Sequence, residues 1–477
     1  MAAIPMSDLE PVLDHLRRDF DGAVGRLCDL LRIPSVSTDP AYKADVLRAA
    51  QWMVDDLKSM GFDAGLRQTP GHPIVVAHYA GPGDATDGNV PHIMYYGHYD
   101  VQPPDPLELW ETGPFEPTIV EAARGPRVIA RGAVDDKGQV MTWMEAFRAW
   151  IKVHGTLPVR VTVLLEGEEE CGSPSLPGFL RDNREELQAD ICMVSDTGSW
   201  DLETPGATYM LRGMMYAELT LHGPSRDLHS GMYGGAVLNP INALTRILGQ
   251  LHDADGRIQI PGFYDDVEEP SAAELEAWKG LGFDEAAFLG EIGLKTPTGE
   301  KGRTALERLW SRPTCDINGI HGGYTGAGAK TVIAAHATAK LSCRLVPGQD
   351  PDKVFAGLKA FLDARTPADG RWEFKTFSMS RAIRVPADSP WLQAAMRGLA
   401  AVYTKKPVLI GCGGSIPVVG MIQDTLGFDS LLVGFGLEDD RVHSPNEKFD
   451  LACFRNGMLS HAAILQQLAD VARRPGA

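Results

Sequence analysis

Apolar residues recur with helical spacing at the start of the chain. Leu9, Val12, Leu13 and Leu16, then Val24, Leu27, Leu30 and Leu31, predict amphipathic helix across residues 8–33. Ile33-Pro34 ends that pattern, and a second amphipathic stretch runs from Val46 to Met60. The texture then changes. Pro73 to Tyr79 and His92 to Tyr96 are short apolar or aromatic runs bounded by Gly and Pro, which predicts strands. Val128 to Ala130 reads as another strand, Lys137 to Val153 as a helix, Val159 to Leu165 as a β-branched strand and Asp190 to Val194 as a further short one. Strands alternating with helices predict an α/β fold, a largely parallel sheet flanked by helices.

After Pro205 the pattern shifts. Met215 to Leu221 alternates like a half-exposed strand, Leu238 to Leu251 is helical, Thr331 to Leu345 is strand-like and Asp352 to Ala364 helical. The Pro-containing segment Arg384-Val385-Pro386-Ala387-Asp388 leads into a helix from Trp391 to Tyr403, a strand from Ser430 to Val433 and a last helix from Phe454 to Ala472. The expected organisation is a catalytic α/β domain over residues 1–206 and 386–477, interrupted by an inserted α+β domain over 207–385.

Composition narrows the function classes. The 477 residues exceed one ordinary core, and 44% hydrophobic with 23% charged residues is a globular balance. Forty-five basic against 63 acidic residues give a net charge of −18, a surface that repels phosphate backbones, so no nucleic-acid partner is expected. No run of about 18 or more apolar residues predicts a membrane span. The N-terminus MAAIPMSDLE lacks a basic region followed by an apolar run, so no signal peptide is expected. The seven cysteines are scattered and never form CxxC, which argues against thiolate zinc sites and a disulfide framework and for a reducing cytoplasm.

Acidic residues and histidines collect where strands end. MYYGHYDVQP (94–103) places His98 and Asp100 after a strand, a His that can ligate a metal beside a carboxylate that can hold its other nitrogen, although HxD alone is more often a loop His with a solvated Asp. In ARGAVDDKG (130–138), Asp135 and Asp136 offer bridging carboxylates, or one of them caps the following helix. LLEGEEECGS (164–173) ends an apolar strand in Glu166, Glu168, Glu169 and Glu170, whose mutual repulsion needs cations or donors, or open water. Asp196 follows another strand, His443 lies in a polar loop and His229 among small residues of the inserted domain. Mixed imidazole and carboxylate ligands suit zinc, manganese or cobalt, and a pair of such ions about 3.5–4 Å apart polarises a carbonyl and activates water.

In order, GHYDVQP, RGAVDDKG, EGEEECGS, DLHSGMYGG, CRLVPGQDP, GGSIPV and HSPNE resemble the motifs of M20 metallopeptidases, in particular their dipeptidase branch of carnosinase-like and Cys-Gly-dipeptidase-like enzymes. The resemblance covers nearly the whole chain. It implies two divalent metal ions, zinc first with manganese or cobalt as alternatives. His98 and Asp196 would be terminal ligands of one, Glu170 and His443 of the other, and Asp135 the bridge, its bond to Asp136 being cis in the family. It implies Glu169 as general base, Asp100 as the carboxylate orienting His98, and His229 as a transition-state stabiliser reaching a partner subunit, hence a homodimer through the inserted lid domain. Arg344 and Thr331 would bind a peptide carboxylate, with Gly414 and Ser415 lining the pocket. Carnosinase-like relatives carry a His in the segment matching Ser378-Met379-Ser380-Arg381-Ala382, which has none here; Arg381 or Arg384 are the candidates to replace it. The expected activity is hydrolysis of dipeptides or short peptides. The alternatives are an N-acyl amino acid deacylase, a glutamate-releasing carboxypeptidase, or a catalytically silent peptide-binding protein. No GxSxG elbow supports a serine nucleophile.

Overall fold

The computed structural model describes residues 9–82 and 90–471. The first residues of the N-terminal segment (1–8), on which the absence of a signal peptide was partly read, and the end of the last expected helix lie outside them. The chain divides into two compact units, residues 1–209, 385–410 and 421–477 in one and residues 210–384 and 411–420 in the other.

The first unit is built on a mixed sheet. Its strands lie in the order Asp63–Arg67, Ile74–Tyr79, Arg160–Glu166, His92–His98, Ile191–Val194, Ser430–Leu432 and Gly206–Leu211. Arg160–Glu166 to Ser430–Leu432 run parallel to one another; the pairings outside them are antiparallel. The expectation of a largely parallel sheet is therefore corrected. Asp63–Arg67 and Ile74–Tyr79 are joined by a short loop, and a parallel pair needs a long crossover. Helix Lys137–His154 supplies such a crossover, and it is buried on almost every side along its first four turns. Trp143 packs at a tilt and Phe147 edge-to-face against Tyr95 of the central strand, at 5.3 and 4.8 Å between ring centroids, geometry that adds to simple area burial. Helices Leu9–Arg18, Phe20–Leu31, Lys43–Ser59, Leu176–Asp182, Pro390–Ala400 and Leu451–Ala469 belong to the same unit. A small antiparallel sheet pairs Lys448–Asp450 with Arg127–Ile129, and that strand with Thr118–Val120.

The second unit is α+β. Its antiparallel sheet orders Thr314–Gly322, His336–Leu345, Gly213–His222 and Arg371–Ser380. Burial alternates strictly along Gly213–His222, so Met215, Ala217, Leu219 and Leu221 enter the core with Leu244, Leu341, Leu358 and Phe361, while the intervening residues stay partly exposed. Helices Pro240–Leu248 and Pro351–Asp363 cover that face, each opened by a capping side chain, Asn239 and Asp350. No helix among the described residues is long and apolar enough to cross a membrane.

Phe361 is fully buried in this second core. Phe361→Ala should lower stability by about 3–5 kcal/mol, read as a shifted midpoint in equilibrium urea unfolding; an unmoved midpoint would show that the site refills without cost.

Candidate metal centre

Three neighbouring parallel strands end at one level. The register pairs His98 with Glu166 and Tyr96 with Val194, so the segments leaving these strands, with Asp100, with Glu169 and Glu170, and with Asp196, emerge side by side. Ligand sites of open α/β sheets form at such carboxyl ends. Asp135 and His443 arrive from loops anchored by the small sheet.

These residues form two groups that share Asp135. His98, Asp135 and Asp196 make one, and Asp135, Glu170 and His443 the other, the donor atoms of each group lying within 4.8 Å of one another. Asp135 places Oδ1 3.1 Å from His98 Nε2 and Oδ2 2.9 Å from His443 Nε2, while Glu170 Oε2 lies 3.3 Å from His443 Nε2. The Asp135–Asp136 peptide bond is cis. Asp136 precedes the helix but does not cap it with its side chain; its Oδ2 accepts from the His98 backbone N–H at 3.2 Å.

His98 is fully buried, and its Nδ1 faces Asp100, 3.1 Å from the backbone carbonyl and 3.4 Å from the carboxylate. A proton on Nδ1 leaves Nε2 as the lone pair aimed at the cage, the arrangement a metal-ligating imidazole needs. Asp100 Oδ2 also accepts from the Glu170 N–H at 3.2 Å, tying the two strand-end loops together. Gln102 Nε2 donates to Glu170 Oε2 at 2.8 Å.

The glutamate run divides by contact. Glu168 turns away and accepts from the backbone N–H groups of His72 and Ser175 at 2.9 and 3.0 Å. Glu166 accepts from Tyr96 Oη at 2.6 Å and Ser173 Oγ at 3.0 Å beneath the cage. Glu169 and Glu170 remain for the site. Burial pushes the Glu169 carboxyl up to about 8; His98 pulls it down, while Asp196, Glu170 and Asp135 push it further. Burial beside Asp135 takes Asp196 up to about 7. Burial raises Asp135 too, but its hydrogen bonds to His443 and His98 win and hold it below the usual carboxylate range. Hydrogen bonds to Asp135 and Glu170 raise His443 to about 10. Such crowding of carboxylates around two imidazoles is what divalent cations neutralise.

The donor set fits divalent metal. It is imidazole plus carboxylate without thiolate, and Glu170 Oε1 is buried with no hydrogen-bond partner in the protein. A third acidic group, Asp439, Asp440 and Asp450, does not fit: Lys448 Nζ already sits among its carboxylates at 3.2, 2.5 and 3.1 Å.

The remaining predicted residues lie in the second unit, in two groups. His229 pairs with Val332 in a short antiparallel ladder, and the Ser230 N–H donates to the Thr331 carbonyl at 3.1 Å, so His229 and Thr331 are neighbours, both exposed. His229 Nδ1 accepts from the Gly231 N–H at 3.0 Å, which leaves Nε2 as an outward donor. Arg344 Nη1 donates to Ser415 Oγ at 2.8 Å, and Ser415 Oγ donates to the Arg212 carbonyl at 2.5 Å. Gly414 accepts from the Arg212 N–H at 3.2 Å. Arg381 and Arg384 are committed elsewhere. Arg381 pairs with Asp350 at 2.5 Å, and Arg384 with Glu274 and Glu268 at 2.5 and 3.1 Å. Sequence reasoning passed over Gln102, Tyr96 and Arg212; no spacing rule marks them, because their roles come from register and loop packing.

The model of peptidase family M20/M25/M40 matches residues 94–467. The chain belongs to that family. It is a metallopeptidase. Among relatives of this member, the Cys-Gly metallodipeptidase dug1 of Schizosaccharomyces pombe is 31% identical over 98% of this chain and 99% of its own. Beta-Ala-His dipeptidase of Homo sapiens is 29% identical over 98% and 94%. Among solved structures, the di-peptidase Dug1p of Saccharomyces cerevisiae superposes with a TM-score of 0.80 at 30% identity, covering 97% of this chain and 99% of that one. The M20 metallo-carboxypeptidase Sso-CP2 of Sulfolobus solfataricus gives 0.82 at 31%, covering 94% and 99%.

Because Asp135 belongs to both groups, Asp135→Ala should abolish both binding events when chelator-stripped protein is titrated with zinc or manganese in a calorimeter. Asp196→Ala and His443→Ala should each remove one. Two intact events in Asp135→Ala would refute the shared role.

Proposed function

We propose that the protein hydrolyses the amide bond of dipeptides or short peptides at a binuclear site. The observation that carries this reading is the pair of imidazole–carboxylate groups joined through Asp135 at the strand ends. His98, Asp196, Asp135, Glu170 and His443 are the proposed ligands, with zinc as the first expectation and manganese or cobalt as alternatives. Two divalent cations held there supply Lewis-acid polarisation and an acidified water.

The chain's own residues do the rest. Asp100 holds the His98 ring so that Nε2 faces the cage. Glu169, partly buried and without an ion pair among the described residues, takes the proton from the attacking water and delivers it to the leaving amine. His229, with its outward Nε2 donor, is assigned to the developing oxyanion, acting across a homodimer formed through the second unit as a lid. Arg344, hydrogen-bonded to Ser415, is assigned to the C-terminal carboxylate together with Thr331, and Gly414 and Ser415 to the lining of the pocket. A bound terminal carboxylate limits the enzyme to short substrates. Exposed Met232, Tyr233, Ile317 and Ile320 on the second unit support an apolar partner surface there. The free cysteines fit a reducing, cytoplasmic setting. The name of the Sso-CP2 neighbour keeps carboxypeptidase action as the second reading.

A panel of dipeptides, C-terminally extended peptides and N-acyl amino acids, assayed with added zinc, manganese and cobalt, tests the substrate class; turnover confined to N-acyl amino acids would overturn it. Glu169→Gln should keep both bound ions and lose about 10²–10⁴-fold in kcat; wild-type turnover would remove Glu169 from its role. Sedimentation should give a dimer, and a fully active monomer would exclude action of His229 in trans.

A further inference from the structure

Glu447 closes the HSPNE motif, yet none of the chemistry above employs it. Its side chain is wholly buried and its carboxylate is saturated. Oε1 accepts from the N–H groups of Val134 and Asp135 at 3.0 and 3.1 Å. Oε2 accepts from the Gly132 N–H at 3.0 Å and Arg131 Nη1 at 2.7 Å. These donors belong to one short run of chain, and that run ends at Asp135. The Glu447 carbonyl also accepts from the Ala130 N–H at 3.1 Å, continuing the ladder that pairs Lys448 with Ile129.

In the chain, Glu447 follows closely after His443, just before the strand Lys448–Asp450. His443 and Asn446 both hold positive φ angles of 62°, a left-handed conformation that is uncommon for non-glycine residues but more accessible to Asn and His than to most. Asn446 accepts from the Glu111 N–H at 2.7 Å and donates to the Leu109 carbonyl at 2.8 Å. One carboxylate thus grips the backbone of the Asp135 loop, while its own backbone carries His443. A buried anion beside an acidic cage is unfavourable in itself, and Arg131 is its one ionic partner among the described residues. An apolar side chain would fill the space without that cost, but it could not hold three backbone N–H groups in place.

We propose that Glu447 is a positioning residue that fixes the separation of Asp135 and His443, and so sets the affinity of the cation position these two share with Glu170. This rests on the two-cation reading above. Charge-assisted hydrogen bonds donated by the loop to a fixed carboxylate orient the loop before any ion arrives, so ion binding does not have to order it.

The test is Glu447→Gln, which keeps one acceptor oxygen and sets an NH₂ group against one pair of donors. Chelator-stripped protein is titrated with zinc and with manganese, and melting is followed with and without metal. The expected result is a loss of about 10–100-fold in affinity for the event that His443→Ala also removes, with a smaller gain in melting temperature on metal addition than in the wild type. Unchanged affinities with melting lowered equally in both states would overturn the proposal and leave Glu447 as a fold tie. If Glu447→Gln does not fold, Glu447→Asp decides, since it keeps the charge but withdraws it by one methylene; unchanged affinities there also overturn it. A wild-type chain that binds no cation sinks the two-metal reading instead, independently of Glu447.

Discussion

Asp135 presents one carboxylate oxygen to His98 and the other to His443, and the rest of the site is arranged around that bridge. A buried carboxylate between two imidazoles is held ionised by them. Its neighbours Glu169 and Asp196 are pushed the other way, first by burial and then by the surrounding carboxylates. That division of one charge environment into a firmly ionised centre and reluctant flanks is how a set of similar side chains acquires different chemical duties.

The scaffold accounts for the placement. Parallel strands in register deliver ligands at fixed spacing, because the inter-strand distance is set by backbone hydrogen bonds and not by side chains. Tyr96, Glu166 and Ser173 form a polar floor beneath the cage, and Lys137 is anchored to the carbonyls of Leu30 and Ile33 just past the bridging loop. The strand-end candidates for ligands therefore rest on hydrogen-bonded sheet, and the loop that brings His443 is braced separately.

Most of this was legible in the sequence where periodicity was strong. The helices Lys43–Ser59, Lys137–His154 and Leu451–Ala469 and the strands around His98, Glu166 and Val194 followed from apolar spacing alone. The sheet's direction at its edge was not, since pairing sense depends on connection length and on partners far away in the chain. Strands Thr314–Gly322 and Arg371–Ser380 escaped because they lie at sheet edges, with mostly exposed positions and a bulge in each. Helices Ala272–Gly280 and Glu285–Glu291 carry almost no buried face, so they had no stripe to read. In the site, the ordered motifs pointed to ligands by residue type. Glu168 and Glu169 are identical letters, and only contact separates the one bound to the His72 and Ser175 backbone from the one left at the cage. Arg381 and Arg384 looked available for substrate until their ion pairs with Asp350, Glu268 and Glu274 were seen.

The strand Ser430–Leu432 lies between Ile191–Val194 and Gly206–Leu211 in the large sheet. On a ribosome, residues 191 and 206 emerge long before residue 430. Through that interval the sheet has a gap where its missing strand belongs, with edges that invite wrong pairing. The stretch from Met210 to Arg384 faces no such wait, because its sheet and core are drawn from contiguous chain. The order of synthesis thus favours a second unit that folds first and a first unit completed only when the carboxyl-terminal segment arrives. The same arrival brings His443, so the unit that carries the candidate metal cage is the last to take shape.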